Sequence, residues 1–377
     1  MVNRFPTTGR ATIAEVAARA GVAKSTVSKY LSDGVYYVSP VTREKIRAAI
    51  EYLDYQPSAC AQSLSRRRSN TVGVMVASIT NPFYPELVAG VEEVVEPAGY
   101  TMLLGSSGQS PQREADVVGA MIKQRVEGVV VTSATLRDRE VARLVAAGIQ
   151  VVVASRELQG ELIADTVVVD NRQGGYLAAH HLRDHGHTAA TLVTGPLDIA
   201  AFRHRAEGFR GAYGERGAVL ALASSEMTEA AGPAAALLSG RDRPTAVLAA
   251  TDTIALGVLT AAATLGLDVP RDLAVIGFDN IWVGQVPNVG LTTVDGHSRR
   301  IGTLAAGRLV DRIDARRPGT AGPPPPPERI VVPAAIVRRS SCGCFPSLTT
   351  TTVGRTTGGP RTAVAPRTAV APRTAGG

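Results

Sequence analysis

From Thr12 to Leu53 the apolar residues recur every three or four positions, the spacing of amphipathic helices. Thr12 with Glu15 three places on forms a capping box and opens a first helix through Arg19. Gly21 supplies the permissive backbone of a sharp turn, Val22 plugs the gap behind it, and a second helix runs from about Lys24 to Leu31. Val16, Ala17, Ala20, Val22, Val27 and Leu31 make one shared apolar face, which leaves Lys24, Ser25, Ser28 and Lys29 pointing outward. A third helix starts at Ser39-Pro40, a cap followed by proline at the first helical position, and its Val41, Ile46, Ala49, Ile50 and Leu53 close a three-helix core. A short helix bearing lysines and hydroxyls suits a DNA major groove; an ordinary helical hairpin with a solvated polar face is the plainer alternative.

Past Thr71 the pattern changes. Thr71–Ala77, Thr101–Leu104, Gly128–Thr132, Gln150–Ala154 and Thr166–Val169 are short, Val-rich and uninterrupted, as strands buried on both faces should be. Helical stretches at about Pro85–Ala98, Pro111–Arg125 and Asp138–Ala147 lie between them. The alternation resumes with Arg172–His185, strand Ala189–Val193, Phe202–Arg216, Thr228–Leu238, strand Ala246–Ala249, Asp252–Leu265 and strand Leu273–Ile276. Such alternation predicts an α/β fold of parallel sheets with crossover helices, whose ligand cleft lies beyond the carboxyl ends of the strands.

The helix-turn-helix TIAEVAARAGVAKSTVSKYL, the VSPVTREKI third helix, the segment YQPSACAQSL and the run SNTVGVMVASITNPFY together resemble the lactose-repressor (LacI/GalR) family of bacterial transcription regulators. VVVDN, GPLDIAAFRHRAEGF, AATDTIALG, VIGFDN and LTTV carry the resemblance on to about Arg339, roughly nine-tenths of the chain. The resemblance implies a helix-turn-helix domain over 1–56, a hinge helix and linker over 57–70, and a two-lobed, periplasmic-binding-protein-like effector and dimerisation domain over 71–340. It puts about 71–170 and 297–317 in the first lobe, and about 171–296 and 329–340 in the second.

Charge sharpens that division. The net charge of +7 comprises +6 on residues 1–69, −3 on the middle and +4 on residues 341–377. A basic head on a mildly acidic body is the footprint of a separate DNA-binding module. The 341–377 stretch lacks acids and repeats PRTAVA, a six-residue unit without acids or aromatics, and reads as a disordered basic tail. No apolar run is long enough to span a bilayer, the N-terminus has no hydrophobic signal core, and three cysteines make no disulfide framework. These features point to the cytoplasm and away from a secreted solute-binding protein.

The resemblance places Lys24 and Ser25, with Lys29 one turn on, at base edges, Ser25 or Thr26 and also Thr12 beside phosphates, and Leu64 of the hinge in the minor groove; Ser28 and Ala61 complete the expected DNA-binding set. Leu64 there is either a wedge between base pairs or a linker residue packed on the core. Arg66–Arg68 add phosphate attraction or are merely solvated. Cys60 falls where relatives pack two hinge helices against each other, so a cross-link and a small buried hydrophobe are both open. Alanine at position 23 removes a cap that many relatives supply with serine.

In the effector domain the resemblance implies a site of Asn81, Phe83, Tyr84, Arg156, Arg205, Thr251 and Asp279, with Trp282 a weaker candidate. An arginine fork and a carboxylate both bind bidentately, which suits the vicinal hydroxyls of a carbohydrate. Thr251 stands where an asparagine is commoner, and Ser155-Arg156 where Asp-Arg is frequent, so each also reads as a cap or ion-pair member. His180, His181, His185 and His187 cluster at one helix end, where capping competes with metal binding. Cys342-Gly343-Cys344 offers two sulfurs at the edge of the tail, too few for zinc on their own. No nucleophile–base pair, metal set or dinucleotide fingerprint is visible, so neither an enzyme nor a cofactor is expected. The expected partners are a pseudo-palindromic operator, a small sugar effector and a second copy of the chain, as dimer or tetramer. A purine or nucleoside corepressor is the alternative effector.

Overall fold

The structure, a computed structural model, describes residues 11–31, 37–56, 69–132, 138–158, 160–317 and 325–344. Helices α1 (Ile13–Ala20), α2 (Lys24–Tyr30) and α3 (Pro40–Leu53) form the N-terminal unit. The capping box is complete: Glu15 N donates to the Thr12 hydroxyl, and Thr12 N donates to the Glu15 carboxylate at 2.6 Å. Gly21 ends α1 in the left-handed conformation at φ 64°, and Ser39 caps α3. Ala23, as its side chain dictates, gives α2 no cap bond. Val16, Ala17, Ala20, Val27, Ile46 and Ala49 are buried together with Val38. Val41, assigned to this core by periodicity, is instead 68 % exposed; it sits in the first turn of α3, and Val38 ahead of that helix occupies the core.

The rest of the described chain builds two six-stranded sheets. Strands β1 (Thr71–Val76), β2 (Thr101–Ser106), β3 (Gly128–Val131), β4 (Gln150–Ala154), β5 (Asp165–Val169) and β11 (Arg329–Val332) form the first, in the order β11-β5-β4-β3-β1-β2 and wholly parallel. Strands β6 (Ala190–Thr194), β7 (Gly217–Ala221), β8 (Ala246–Ala249), β9 (Ala274–Asp279), β10 (Thr292–Asp295) and β12 (Ala335–Val337) form the second, in the order β12-β10-β9-β8-β6-β7. Only β12 runs antiparallel to its neighbour, β10. The intervening helices are α4 (Phe83–Val95), α5 (Pro111–Lys123), α6 (Arg139–Ala146), α7 (Asn171–Asp184), α8 (Ala200–Tyr213), α9 (Met227–Ser239), α10 (Asp252–Thr264) and α11 (Ser298–Ala315).

The chain passes between the sheets three times, at Asp170, at Gly296-His297 and at Pro333-Ala334. The third crossing corrects the sequence assignment of 329–340 to the second lobe. Arg329–Val332 pairs with β5 in the first sheet, and only the segment from Ala335 joins the second. The buried carboxylate of Asp165 fixes that return, accepting from Arg308, Arg312 and the backbone N–H of Glu328. Two further expectations fail. β2 is a sheet edge, not a strand buried on both faces, and Leu104 on it is 47 % exposed. Ser341–Cys344, assigned to the tail, packs into the second lobe, with Ser341 bonded to Val275 and Thr292.

Each lobe is closed by a helix pair whose backbones touch through glycine. A Cβ at Gly90 of α4 would lie 2.1 Å from the Arg299 carbonyl oxygen, and one at Gly302 of α11 2.1 Å from that of Leu87. Between α7 and α8, a Cβ at Gly175 would lie 2.3 Å from the Arg205 carbonyl oxygen, and one at Gly208 2.0 Å from that of Arg172. In an open helix Gly→Ala gains about 1 kcal/mol of helix propensity. Here Gly90→Ala and Gly302→Ala are each expected to lose about 1–3 kcal/mol through overpacking. Urea unfolding checks the sign, and a stabilised variant would show that the crossing has slack.

Candidate functional site

Between the lobes, a cavity of about 700 Å³, including its open mouth, is lined by Asn81, Phe83, Tyr84, Gln109, Thr132, Ser155, Arg156, Ile199, Ala201, Phe202, Arg205, Ser225, Thr251 and Asp279. All seven effector-site candidates from the sequence therefore meet at one cavity. Trp282 does not: it is 61 % exposed and lies outside the lining.

Arg205 organises the second-lobe wall. α8 carries it to the end of β9, where its guanidinium stacks 3.6 Å from the centre of the Phe278 ring. Its Nε donates to Asn171 Oδ1 at 2.9 Å, its Nη1 donates to the Ala250 carbonyl, and the same Nη1 lies 3.5 Å from Asp279. Asp279 ends β9 at φ 116°, a conformation L residues rarely adopt, and turns its carboxylate to the cavity. Burial pushes the Asp279 carboxyl up to about 7, with Arg205 pulling it back down. Behind it Asp252 is held by the Thr293 hydroxyl and the Ile281 N–H, and burial with the adjacent Asp279 pushes it up to about 8. Burial lowers the Arg205 guanidinium and raises the Tyr84 phenol.

The remaining candidates divide by how their polar atoms are used. The Thr251 hydroxyl caps α10, accepting from Ile254 N at 3.1 Å, so its structural reading is realised even though it touches the cavity. Asn81 Oδ1 holds the Phe83 N–H. Phe83 and Tyr84 meet edge to face, 5.3 Å between ring centres. Across the cleft, Arg156 Nη1 and Thr132 Oγ1 are buried and have no hydrogen-bond partner among the described residues. Buried polar atoms without partners are rare in folded proteins, and two of them belong to residues that line this cavity. Sequence reading missed Thr132, Gln109, Ser155, Phe202 and Ser225. Gln109 donates to Glu226 at 3.2 Å across the cleft, joining the two lobes.

On the helix-turn-helix, Thr12, Lys24, Ser25, Ser28 and Lys29 are exposed and Thr26 is half-buried. Cys60, Ala61, Leu64 and Arg66–Arg68 lie outside the described residues. His181, His185, Cys342 and Cys344, weighed in the sequence as two separate and insufficient groups, come together with all four ligand atoms within 4.8 Å. Among the described residues no helix is long and apolar enough to cross a membrane.

Residues 12–58 match the bacterial regulatory proteins of the lacI family, and residues 179–342 match the periplasmic binding protein-like domain. The HTH-type transcriptional repressor PurR of Vibrio vulnificus (strain CMCP6) is 34 % identical over 310 residues, 80 % of this chain and 92 % of that protein. Among solved structures, a transcriptional regulator CelR–cellobiose complex is 29 % identical with a TM-score of 0.64, covering 88 % of this chain and all of that one. A LacI family regulator from Enterococcus faecalis V583 with bound ribose is 27 % identical with a TM-score of 0.65, covering 72 % of this chain and 98 % of that one. The relatives are transcriptional repressors and not enzymes. With its helix-turn-helix, its two-lobed cleft domain and these relatives, the chain belongs to the lacI family of bacterial regulatory proteins and is a DNA-binding transcriptional repressor.

Proposed function

We propose that the repressor binds a pseudo-palindromic operator of carbohydrate-utilisation genes as a homodimer and is released by a small sugar in the cleft. The cleft carries the sugar reading: a buried Arg205–Asp279 pair on one wall faces the unpartnered Arg156 Nη1 and Thr132 Oγ1 on the other. Phe83, Tyr84 and Phe202 add apolar faces between them. Polar groups dispersed around a ligand, with aromatic faces to cover its C–H surface, match a polyhydroxylated ring. The cellobiose and ribose complexes of relatives support the same class. A purine ligand is the second reading, favoured by the name PurR of the 34 % relative. A ligand that favours one arrangement of the lobes would alter the spacing of two paired helix-turn-helix units. The apolar edge strand β2, with Leu103 and Leu104 exposed, supports a surface covered by a second copy.

Thermal-shift screening of sugars against purines and nucleosides separates the two effectors: stabilisation by sugars is expected, and stabilisation by purines alone overturns the sugar reading. Asp279→Asn should abolish effector response and leave operator affinity intact. With the Asp279 carboxyl raised to about 7, hydroxyl donors favour its ionised form. Sugar affinity of the intact chain should therefore rise as pH increases through neutrality and flatten in Asp279→Asn, which titration calorimetry checks.

On the DNA side, α2 presents Lys24, Ser25 and Lys29 to base edges and Thr26 and Ser28 to the backbone, with Thr12 at the α1 N-terminus on a phosphate. Operator affinity should fall steeply with salt, each neutralising cation adding about −0.9 to the slope of log K against log salt. Lys29→Ala should cost about 1–3 kcal/mol and relax preference at one base pair. An unchanged selected motif would remove Lys29 from base reading.

A further inference from the structure

We propose that His181, His185, Cys342 and Cys344 form a closed four-ligand zinc site that clamps the end of the second lobe. His181 Nε2 lies 3.4 Å from Cys342 Sγ and 3.2 Å from Cys344 Sγ, and His185 Nε2 lies 3.3 Å from Cys344 Sγ. A tetrahedral Zn²⁺ with bonds of about 2.0–2.1 Å to nitrogen and 2.3 Å to sulfur has N···S edges of about 3.5 Å. All three contacts sit near that length, and the widest of the separations stays within 4.8 Å. Hydrogen bonds from a ring N–H or a thiol S–H can link these atoms pairwise, whereas one cation would draw all four ligand atoms to a single point.

The surroundings are those that orient metal ligands. His185 Nδ1 lies 2.8 Å from the His181 carbonyl; donating there leaves its Nε2 lone pair directed at Cys344. Ligating histidines commonly donate their second ring N–H in this way. The Thr292 hydroxyl accepts from Arg339 N at 2.8 Å and lies 3.1 Å from Cys342 Sγ, close enough to donate to that sulfur as a bound thiolate. Gly343, at φ 86°, reverses the chain between the two cysteines, and Ser341 is stitched to Val275 and Thr292 immediately before them. Two thiolates, two neutral imidazoles and Zn²⁺ sum to zero charge, so the buried His181 and Cys342 are left with no uncompensated charge. Nitrogen and sulfur donors in this ratio select zinc over magnesium or calcium. All four ligands are protein side chains with no open position, so the site is structural, tying the helix end at His185 to the end of the last strand.

The test uses the full chain in a Cys60→Ser background, which removes the third thiol. Purified without affinity histidines, it should retain one zinc per chain by elemental analysis. The chelated protein should take up one equivalent of Co²⁺, with intense visible bands of tetrahedral geometry and near-ultraviolet thiolate charge transfer. His185 is exposed, so His185→Gln tests ligation with little demand on folding. It and Cys344→Ser should weaken Co²⁺ binding by more than the ~10–100-fold that loss of an outer-shell partner costs. Sub-stoichiometric metal, an octahedral cobalt spectrum, or spectra unchanged in both variants would overturn the proposal.

Discussion

A guanidinium that is almost wholly out of water must have its N–H groups answered locally, and Arg205 sets that requirement at the centre of the fold. Asn171 answers from the first turn of α7, Ala250 from the end of β8, and Asp279 from the end of β9, while Phe278 supplies the ring beneath. Four separate segments of the second lobe thus have to arrive in register around one side chain. The close glycine contact of α7 and α8 is part of that arrangement, because Gly175 lies against the Arg205 backbone itself. A methyl group there would displace the residue on which the cleft wall is built. Packing and site chemistry are one constraint at this point.

The two walls of the cleft are electrostatically unlike. On the second-lobe side charge is already balanced, Arg205 against Asp279, with Asp252 behind held by two hydrogen bonds. On the first-lobe side Arg156 is buried next to Thr132, and atoms of both have no partner among the described residues. In the proposed reading, a ligand between them would complete hydrogen bonds on the first wall and compete for those already made on the second. Gln109 with Glu226 makes a direct bridge between the lobes at the cavity edge, and His204 approaches Glu157 to 3.5 Å in another.

Much of this was legible in the sequence because local signals agreed with one another. The capping box, Gly21 and Ser39-Pro40 each act within a few residues, and the helix-turn-helix they punctuate is the one observed. The Val-rich runs gave most strands because a strand buried on both faces has no polar positions to blur it. Where the reading failed, the deciding interaction was remote in sequence. β11 joins the first sheet through Asp165 and its arginine partners, more than a hundred and forty residues away along the chain. Thr132 and Gln109 are small or ordinary polar residues with no motif around them, and only the closed cavity gives them meaning. The histidines and cysteines were each visible, yet neither pair is a metal set alone. Their union depends on 341–344 packing back into the lobe, which composition had assigned to the basic tail.

Helix α7 connects these regions in one rigid element. At its first residue Asn171 fixes the cleft arginine, and at its last turn His181 meets the two cysteines. At the rise of an α-helix those two residues lie about 15 Å apart along its axis. A helix bearing a cleft contact at one end needs its other end held, or rotation about its axis would move Asn171 relative to Arg205. Apolar packing of Ala178, Ala179 and Leu182, with the close contact of Gly175 against α8, holds the middle of the helix. Side chains directed from the last turn toward the β10–β12 corner, through Cys342 and Thr292, add a hold at its far end beside that of Arg183 on the Ala212 carbonyl. A metal there would strengthen a fixing that the hydrogen bonds already begin, and would do so without a single contact to the ligand in the cleft.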